Sequence, residues 1–158
     1  MASSTSTPNF DILPATWRDL IALRRLEEVC FGPDAWPLVD LLAALTAPGM
    51  VRLKAGVNGD GNSGDVLAGF VGGDARARDG TGWITTIGVL PAYRRLGLAS
   101  LLLDRCERSM GQPRVRLCVR ASNDGAIQLY QKRGYHKVSV WARYYSGGED
   151  ALVLERVL

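Results

Sequence analysis

Residues 83–103 read WITTIGVLPAYRRLGLASLLL. Ile84, Thr85, Thr86, Ile87 and Val89 are mostly β-branched and follow Gly82, which predicts a strand. Pro91 ends it, because proline cannot donate to a ladder and restricts the residue before it. A basic loop follows, Arg94-Arg95-Leu96-Gly97-Leu98-Ala99, and then Leu98, Leu101, Leu102 and Cys106 recur at helical spacing. A strand that passes through small residues into a helix N-terminus leaves main-chain N–H groups unpaired at the positive end of the helix dipole, which suits an anion. Gly97 and Ala99 admit a pyrophosphate to the main chain, and Arg94 and Arg95 add charge. Glycines precede helices in several kinds of nucleotide-binding loop, and paired arginines are often a solvated face, so both readings stand at this point. No Gly-Lys-Ser/Thr follows and the three-glycine dinucleotide pattern is missing, which sets aside a P-loop and a Rossmann loop.

The chain has 158 residues, 47% hydrophobic and 22% charged, which fits one globular domain with material for a core. A formal net charge of +3 suits an anionic ligand and is too small to argue for nucleic acid. Three cysteines without metal-ligand spacing predict reduced thiols and a cytoplasmic protein, and one histidine argues against a His-rich metal centre. No apolar run approaches the roughly 18–20 residues of a membrane span. The polar start, MASSTSTP, predicts a disordered tail over residues 1–8 ahead of one domain over 9–158.

The rest of the chain supplies alternating elements. Asn9 to Leu13 reads as a strand, Trp17 to Val29 as a helix capped by Thr16, and Leu38 to Thr46 as a second helix. The aromatic loop between those helices, containing Phe31 and Trp36, is either plain packing or one wall of a pocket. Met50 to Val57 and Val66 to Gly72 read as strands joined by the turn-forming NGDGNSGD. Val115 to Val119 is another strand, and Asn123 opens a helix ended by Gly134. Tyr135 to Ala142 and Ala151 to Val157 form a last pair around Tyr144-Tyr145-Ser146-Gly147-Gly148. This order is α/β in character without a regular βαβ alternation.

Three blocks in the second half together resemble the GNAT superfamily of acetyl-CoA-dependent N-acetyltransferases. Arg94 to Ala99 matches its (Gln/Arg)-x-x-Gly-x-(Gly/Ala) signature, LCVRASNDGAIQLYQKRGY follows at the expected distance, and ARYYSGGEDALVLE comes after it. The Arg-Tyr-Tyr…Gly-Glu-Asp-Ala ending is similar to the branch of ribosomal-protein-alanine N-acetyltransferases and protein N-terminal acetyltransferases. The resemblance implies a mixed, strongly twisted sheet, splayed near its middle, with helices on both faces and acetyl-CoA in the splay. It implies that Ile87, Gly88 and Val89 meet the pantetheine arm, that Arg94, Arg95, Leu96, Gly97, Leu98, Ala99 and Ser100 hold the pyrophosphate, and that Asn123 lies beside the pantetheine. It implies that Tyr130 is the general acid for the leaving thiolate, where composition alone reads a core aromatic. It also implies that Phe31, Trp36, Tyr144 and Tyr145 bind the acceptor.

One position departs from that branch. Cys118 stands where a glutamate commonly serves as general base, and a strand cysteine among apolar neighbours is expected to stay a thiol with a packing role. The amine must still lose a proton, which leaves an ordered water, Asp34, Glu27 or Glu28 as candidates. Arg120 reads as a structural strand-end charge and His136 as a surface residue. The implied acceptor is a protein N-terminus, with a lysine or small-molecule amine as the alternative and a non-catalytic acyl-CoA-binding module as a reading of another class. The partners expected are that acceptor alone, without membrane or direct nucleic-acid binding, for a monomer or homodimer.

Overall fold

The computed structural model describes residues 9–57, 66–76 and 78–158. The expected tail over 1–8 and the expected turn over 58–65 lie outside these residues. Strands β1 (Phe10–Pro14), β2 (Met50–Val57), β3 (Leu67–Asp74), β4 (Thr81–Val89), β5 (Arg114–Arg120), β6 (His136–Trp141) and β7 (Ala151–Val157) alternate with helices α1 (Leu20–Phe31), α2 (Leu38–Thr46), α3 (Leu98–Met110) and α4 (Asp124–Lys132). The strands form one mixed sheet in the order β1-β2-β3-β4-β5-β7-β6. Only β4 and β5 run parallel, joined by the α3 crossover; the other neighbours are antiparallel.

Two apolar clusters sandwich the sheet. On one face α3 buries Leu98, Leu102, Leu103, Cys106 and Met110, and α4 packs Ala126, Ile127 and Tyr130 into the same cluster. On the other face Leu23 and Leu26 of α1 and Leu41 and Leu45 of α2 close over Phe70. Each of those leucines is at most 2% exposed. Burial on this scale contributes roughly 2 kcal/mol per side chain before chain entropy is counted.

Several observed elements end differently from the expected ones: α1 runs on through Cys30 and Phe31, and β3 continues to Asp74. Trp17–Asp19 is a 3₁₀ turn ahead of α1, because the Asp19 carboxylate turns back to accept from Thr16 N at 2.7 Å and from Lys54 Nζ at 2.8 Å. β4 starts at Thr81, three residues before the β-branched run. A Thr-Gly start looks like a turn, yet a side chain at 82 would meet Met110 Sδ at 2.9 Å, so glycine lets α3 close over the strand.

The feature that shapes the middle of the sheet is a β-bulge. Gly72 pairs with Thr86 and Gly73 with Ile84, so Thr85 is an extra residue in β4. Thr85 and Thr86 both lie on the side to which a Gly72 side chain would point, where a Cβ would meet Thr85 Oγ1 at 2.9 Å and Thr86 Cγ2 at 3.5 Å. The parallel ladder runs from Thr81↔Arg114 to Ile84↔Leu117 and stops there. Beyond it, Thr85–Val89 and Cys118–Arg120 diverge. This is the expected splay, and the bulge sits at its apex.

A buried charge cluster fastens α3, α4 and β7 behind that splay. Glu107, 2% exposed, accepts from Tyr135 Oη at 2.7 Å, Arg156 Nη1 at 2.7 Å and Arg133 Nη2 at 3.1 Å. The carboxylate is the shared acceptor of the cluster, although Arg133 Nε stays buried without a partner among the described residues. Replacing Glu107 with alanine leaves two guanidinium groups and a phenol without their acceptor. Glu107→Ala is expected to lower the unfolding free energy by about 3–5 kcal/mol in urea titration, with the m-value unchanged.

Candidate active site

The divergence of β4 and β5 opens a cleft of about 280 Å³. Its β4 wall is Ile84 to Ile87, its β5 wall is Leu117 to Arg120, and Tyr130 and Ala126 of α4 line the side toward α3. Glu27, Cys30 and Phe31 of α1, with Asp34 and Trp36 of the following loop, line the opposite side, and Tyr145 closes the mouth. Main-chain groups of β4 past Ile84 have no β5 partner, so they are free to meet an extended ligand.

At one end of the cleft lies the basic loop. Gly97 caps α3 with φ +79° and nothing within 4 Å of where a side chain would project. Arg95 also has a positive φ of 65°, a conformation that costs an L-residue about 1–2 kcal/mol. Two left-handed residues around a helix start turn successive N–H groups toward one point, an anion concavity. Leu101 N bonds to Gly97 O, which leaves the amides of Leu98, Ala99 and Ser100 as the unpaired first turn. The Leu98 side chain is 2% exposed in the core, so this residue offers only its main chain. Arg94 turns back instead: its Nε donates to Val89 O at 2.9 Å, and its guanidinium reaches Cys30 Sγ at 3.9 Å. Asn123 caps α4 by accepting from Ala126 N at 3.2 Å and also borders the cleft.

Side chains sequence reasoning had left as alternatives are sorted by the fold. Glu27 is 1% exposed and lines the cleft; it accepts from Thr86 Oγ1 at 2.8 Å and from Trp36 N at 3.4 Å. Burial pushes its carboxyl above the ordinary glutamate range, against the two hydrogen bonds that favour the ion. Glu28 points outward and pairs with Arg24 at 2.8 Å. Asp34 lines the cleft but is engaged by Arg120 and by Ser146. Cys118 faces the cleft half-buried, and burial raises its thiol, as expected for a strand cysteine. His136 is exposed at the start of β6.

Tyr130 is 6% exposed, packs edge-on to Tyr135 at 5.8 Å and lines the cleft. Burial alone lifts its hydroxyl to about 12, so it stays protonated across the working range. The two loop tyrosines separate. Tyr145 borders the cleft under the Arg120 guanidinium, 4.5 Å from the ring centre, and burial raises it to about 12. Tyr144 is 55% exposed and lies outside, between Tyr145 and Trp141.

Arg120, read from sequence as a strand-end charge, is the centre of a clasp over the cleft. It pairs with Asp34 on the α1–α2 loop and with Glu149 at 2.6 Å, while Glu149 also takes Ser122 N at 2.8 Å. Ser146 N reaches Asp34 at 3.2 Å, 112 positions away in sequence. No local pattern marks such a contact. The Glu27–Thr86 bond, 59 positions apart, was equally invisible, although the glutamate itself was a candidate.

Residues 20–135 match the family model described as acetyltransferase (GNAT) family. The N-terminal acetyltransferase A complex catalytic subunit NAA10 of Arabidopsis thaliana is 32% identical over 149 residues, 91% of this chain and 76% of that protein. Archaeal N-alpha-acetyltransferases of Sulfurisphaera tokodaii and Saccharolobus solfataricus are each 42% identical over 46% and 49% of this chain, and the match spans about half of their length. The ribosomal-protein-S18-alanine N-acetyltransferase from Escherichia coli has the same fold, with a TM-score of 0.80 at 23% identity over 94% of both chains. So does Arabidopsis thaliana NAA60, solved in complex with acetyl-CoA, with a TM-score of 0.81 at 23% identity over 95% of this chain and 99% of that one. A bulged central strand, a glycine-capped helix start and a two-sided cleft thus coincide with a sequence match over most of the domain: the chain belongs to the GNAT acetyltransferase family.

Proposed function

We propose that this protein transfers the acetyl group of acetyl-CoA to the α-amino group of a protein N-terminus, by direct attack with both substrates bound. The observation that carries this reading is that Glu27 and Tyr130 line one small cleft from opposite sides, beside a strand edge with unpaired main-chain groups. Amine acetylation needs a proton acceptor on the amine side, a donor on the sulfur side and amide donors at the carbonyl between them.

The residues present fit the cofactor. Arg95 to Ser100 would hold the pyrophosphate with main-chain amides, and the free edge of Ile87, Gly88 and Val89, with Asn123, would hold the pantetheine arm. Val89 O is already engaged by Arg94, whose role is to brace the strand end rather than to reach the phosphates. Acetyl-CoA supplies an activated thioester. Glu27, through a water or directly, takes the proton that the acceptor ammonium must lose, so the carboxylate missing at Cys118 is supplied from α1. A model α-amine loses its proton near pH 8, so a carboxylate raised by burial is a sufficient acceptor. Tyr130 stays protonated and donates to the departing sulfur. A thiol near 8.5 is a stronger acid than a phenol at about 12, so the hydroxyl acts as a hydrogen-bond donor to developing charge, with full transfer completed by solvent. Phe31, Trp36 and Tyr145 enclose the first acceptor residue, and Tyr144 extends that wall outward.

CoA release with free N-terminal peptides and with N-blocked, lysine-containing controls tests the acceptor. Release confined to free N-termini is expected; release only with the blocked lysine peptides or small amines overturns it. Tyr130→Phe is expected to lower kcat by about 10²-fold with acetyl-CoA affinity within twofold, measured by steady-state rates and calorimetry.

Glu27→Gln gives a sharper test because its two effects have opposite signs. The raised folded pKa means that stability falls as pH rises through the interval above the ordinary glutamate value, so removing the charge is expected to raise Tm near pH 7. The same variant is expected to lose about 10²-fold in kcat, and with it the acid limb of the pH profile, which in the wild type lies above the ordinary carboxylate range. An unchanged limb would remove Glu27 as the base. Gly97→Glu places an anion and an unfavourable φ in the pyrophosphate loop, and is expected to weaken CoA binding by about tenfold or more.

A further inference from the structure

Behind Trp36 lies a second cavity, larger than the cleft at about 450 Å³. It shares two residues with the cleft, Trp36 and Thr85, so the indole and the bulge residue form the partition between them. Its far wall is apolar, with Ala47 and Met50 among its residues. Its charges are Asp40, near the start of α2, and the lining pair Asp74 and Arg76, which meet at 2.7 Å. Among the described residues Asp40 has no ion-pair partner, so the cavity carries one uncompensated negative charge. None of these groups takes part in the proposed chemistry.

We propose that this cavity is a specificity pocket for the side chain of an acceptor residue downstream of the N-terminal one, and that it selects a lysine or arginine through Asp40. The inference rests on the N-terminal acceptor reading above. Because Trp36 and Thr85 line both spaces, a peptide whose first residue is enclosed by Phe31, Trp36 and Tyr145 runs, in this proposal, on past Trp36, with its following side chains beside the opening. An aliphatic wall with a carboxylate at its polar end matches a long side chain that buries its stem and keeps a cationic head beside an anion. The Asp74–Arg76 pair keeps the rest of the lining neutral, so the discrimination falls on Asp40.

The test uses the full-length protein and free N-terminal peptides in which positions two, three and four carry in turn lysine, alanine or glutamate. Wild type is expected to favour lysine over glutamate at one of these positions by about two- to fivefold in kcat/KM, the worth of a partly exposed ion pair, expressed in KM with kcat constant. Asp40→Asn is expected to flatten that preference and Asp40→Lys to invert it. Because Asp40 is exposed, neither change threatens folding, which an unchanged Tm verifies. Peptide acetylation whose charge preference is identical in wild type and Asp40→Lys overturns the pocket alone. Failure of the wild type to acetylate any free N-terminus overturns the acceptor reading and the pocket with it.

Discussion

One extra residue in β4 governs the molecule. Thr85 has no counterpart in β3, and the parallel pairing of β4 with β5 ends at the residue before it. A bulge increases the local twist of its strand, so the second half of β4 turns away while β5 continues toward β7. The price is a line of unpaired main-chain groups on both strands, which a buried sheet would not tolerate without a partner. In the proposed function the same defect gives an extended cofactor arm a place to bind as if it were another strand. Gly72 makes the bulge possible, because two threonines crowd the space that its side chain would fill. Thr85 Oγ1 remains buried there without a hydrogen-bond partner among the described residues, a local cost left at the apex.

The cleft shifts two ionisable groups in the same direction by one device. Burial raises both Glu27 and Tyr130, but from starting values on either side of neutrality. For the carboxyl, the shift moves a weak base toward the range where it accepts protons; for the phenol, it secures a donor that never ionises. Two hydrogen bonds, from Thr86 and from Trp36 N, favour the ionised form of Glu27 and oppose part of that rise. Cys118 is raised by the same burial and, as a neutral thiol, contributes shape rather than charge. In the proposed reaction the base therefore comes from α1 and the acid from α4, which line the cleft from opposite sides.

Local chemistry made most of this legible. The strand, proline stop, glycine loop and leucine periodicity of residues 83–103 correspond to β4, the loop and α3, and the helix opened by Asn123 starts one residue after it. These features obey short-range rules of period, turn and cap, which a sequence displays directly. The early start of β4 escaped because Thr-Gly carries turn chemistry, and glycine there serves the approach of Met110 instead. Arg120 escaped for a different reason. Its partners, Asp34 and Glu149, lie far away in sequence on two separate loops, so only the closed fold shows that a strand-end arginine sits over the cleft. The choice between Glu27 and Glu28 also needed the fold, because neighbouring positions on α1 differ by about 100° around the helix axis.

That division follows from what each side of the cleft is made of. The proposed cofactor side is built from a strand edge, helix N-termini and one glycine, so the groups it offers are main-chain N–H and C=O, nearly independent of side-chain identity. A short signature is enough to specify it. The acceptor side is built from side chains of two loops, tied by Asp34, Arg120, Glu149 and Ser146, whose ion pairs are only partly shielded from water. Each such pair is worth little alone, so the clasp holds through several bonds converging on one guanidinium and through its stacking on Tyr145. On the proposed reading, a change in these loops bears on the acceptor and leaves the main-chain groups of the cofactor side in place. In the proposed function, such an arrangement keeps one chemistry constant and leaves the choice of amine to the loop residues around Trp36 and Arg120.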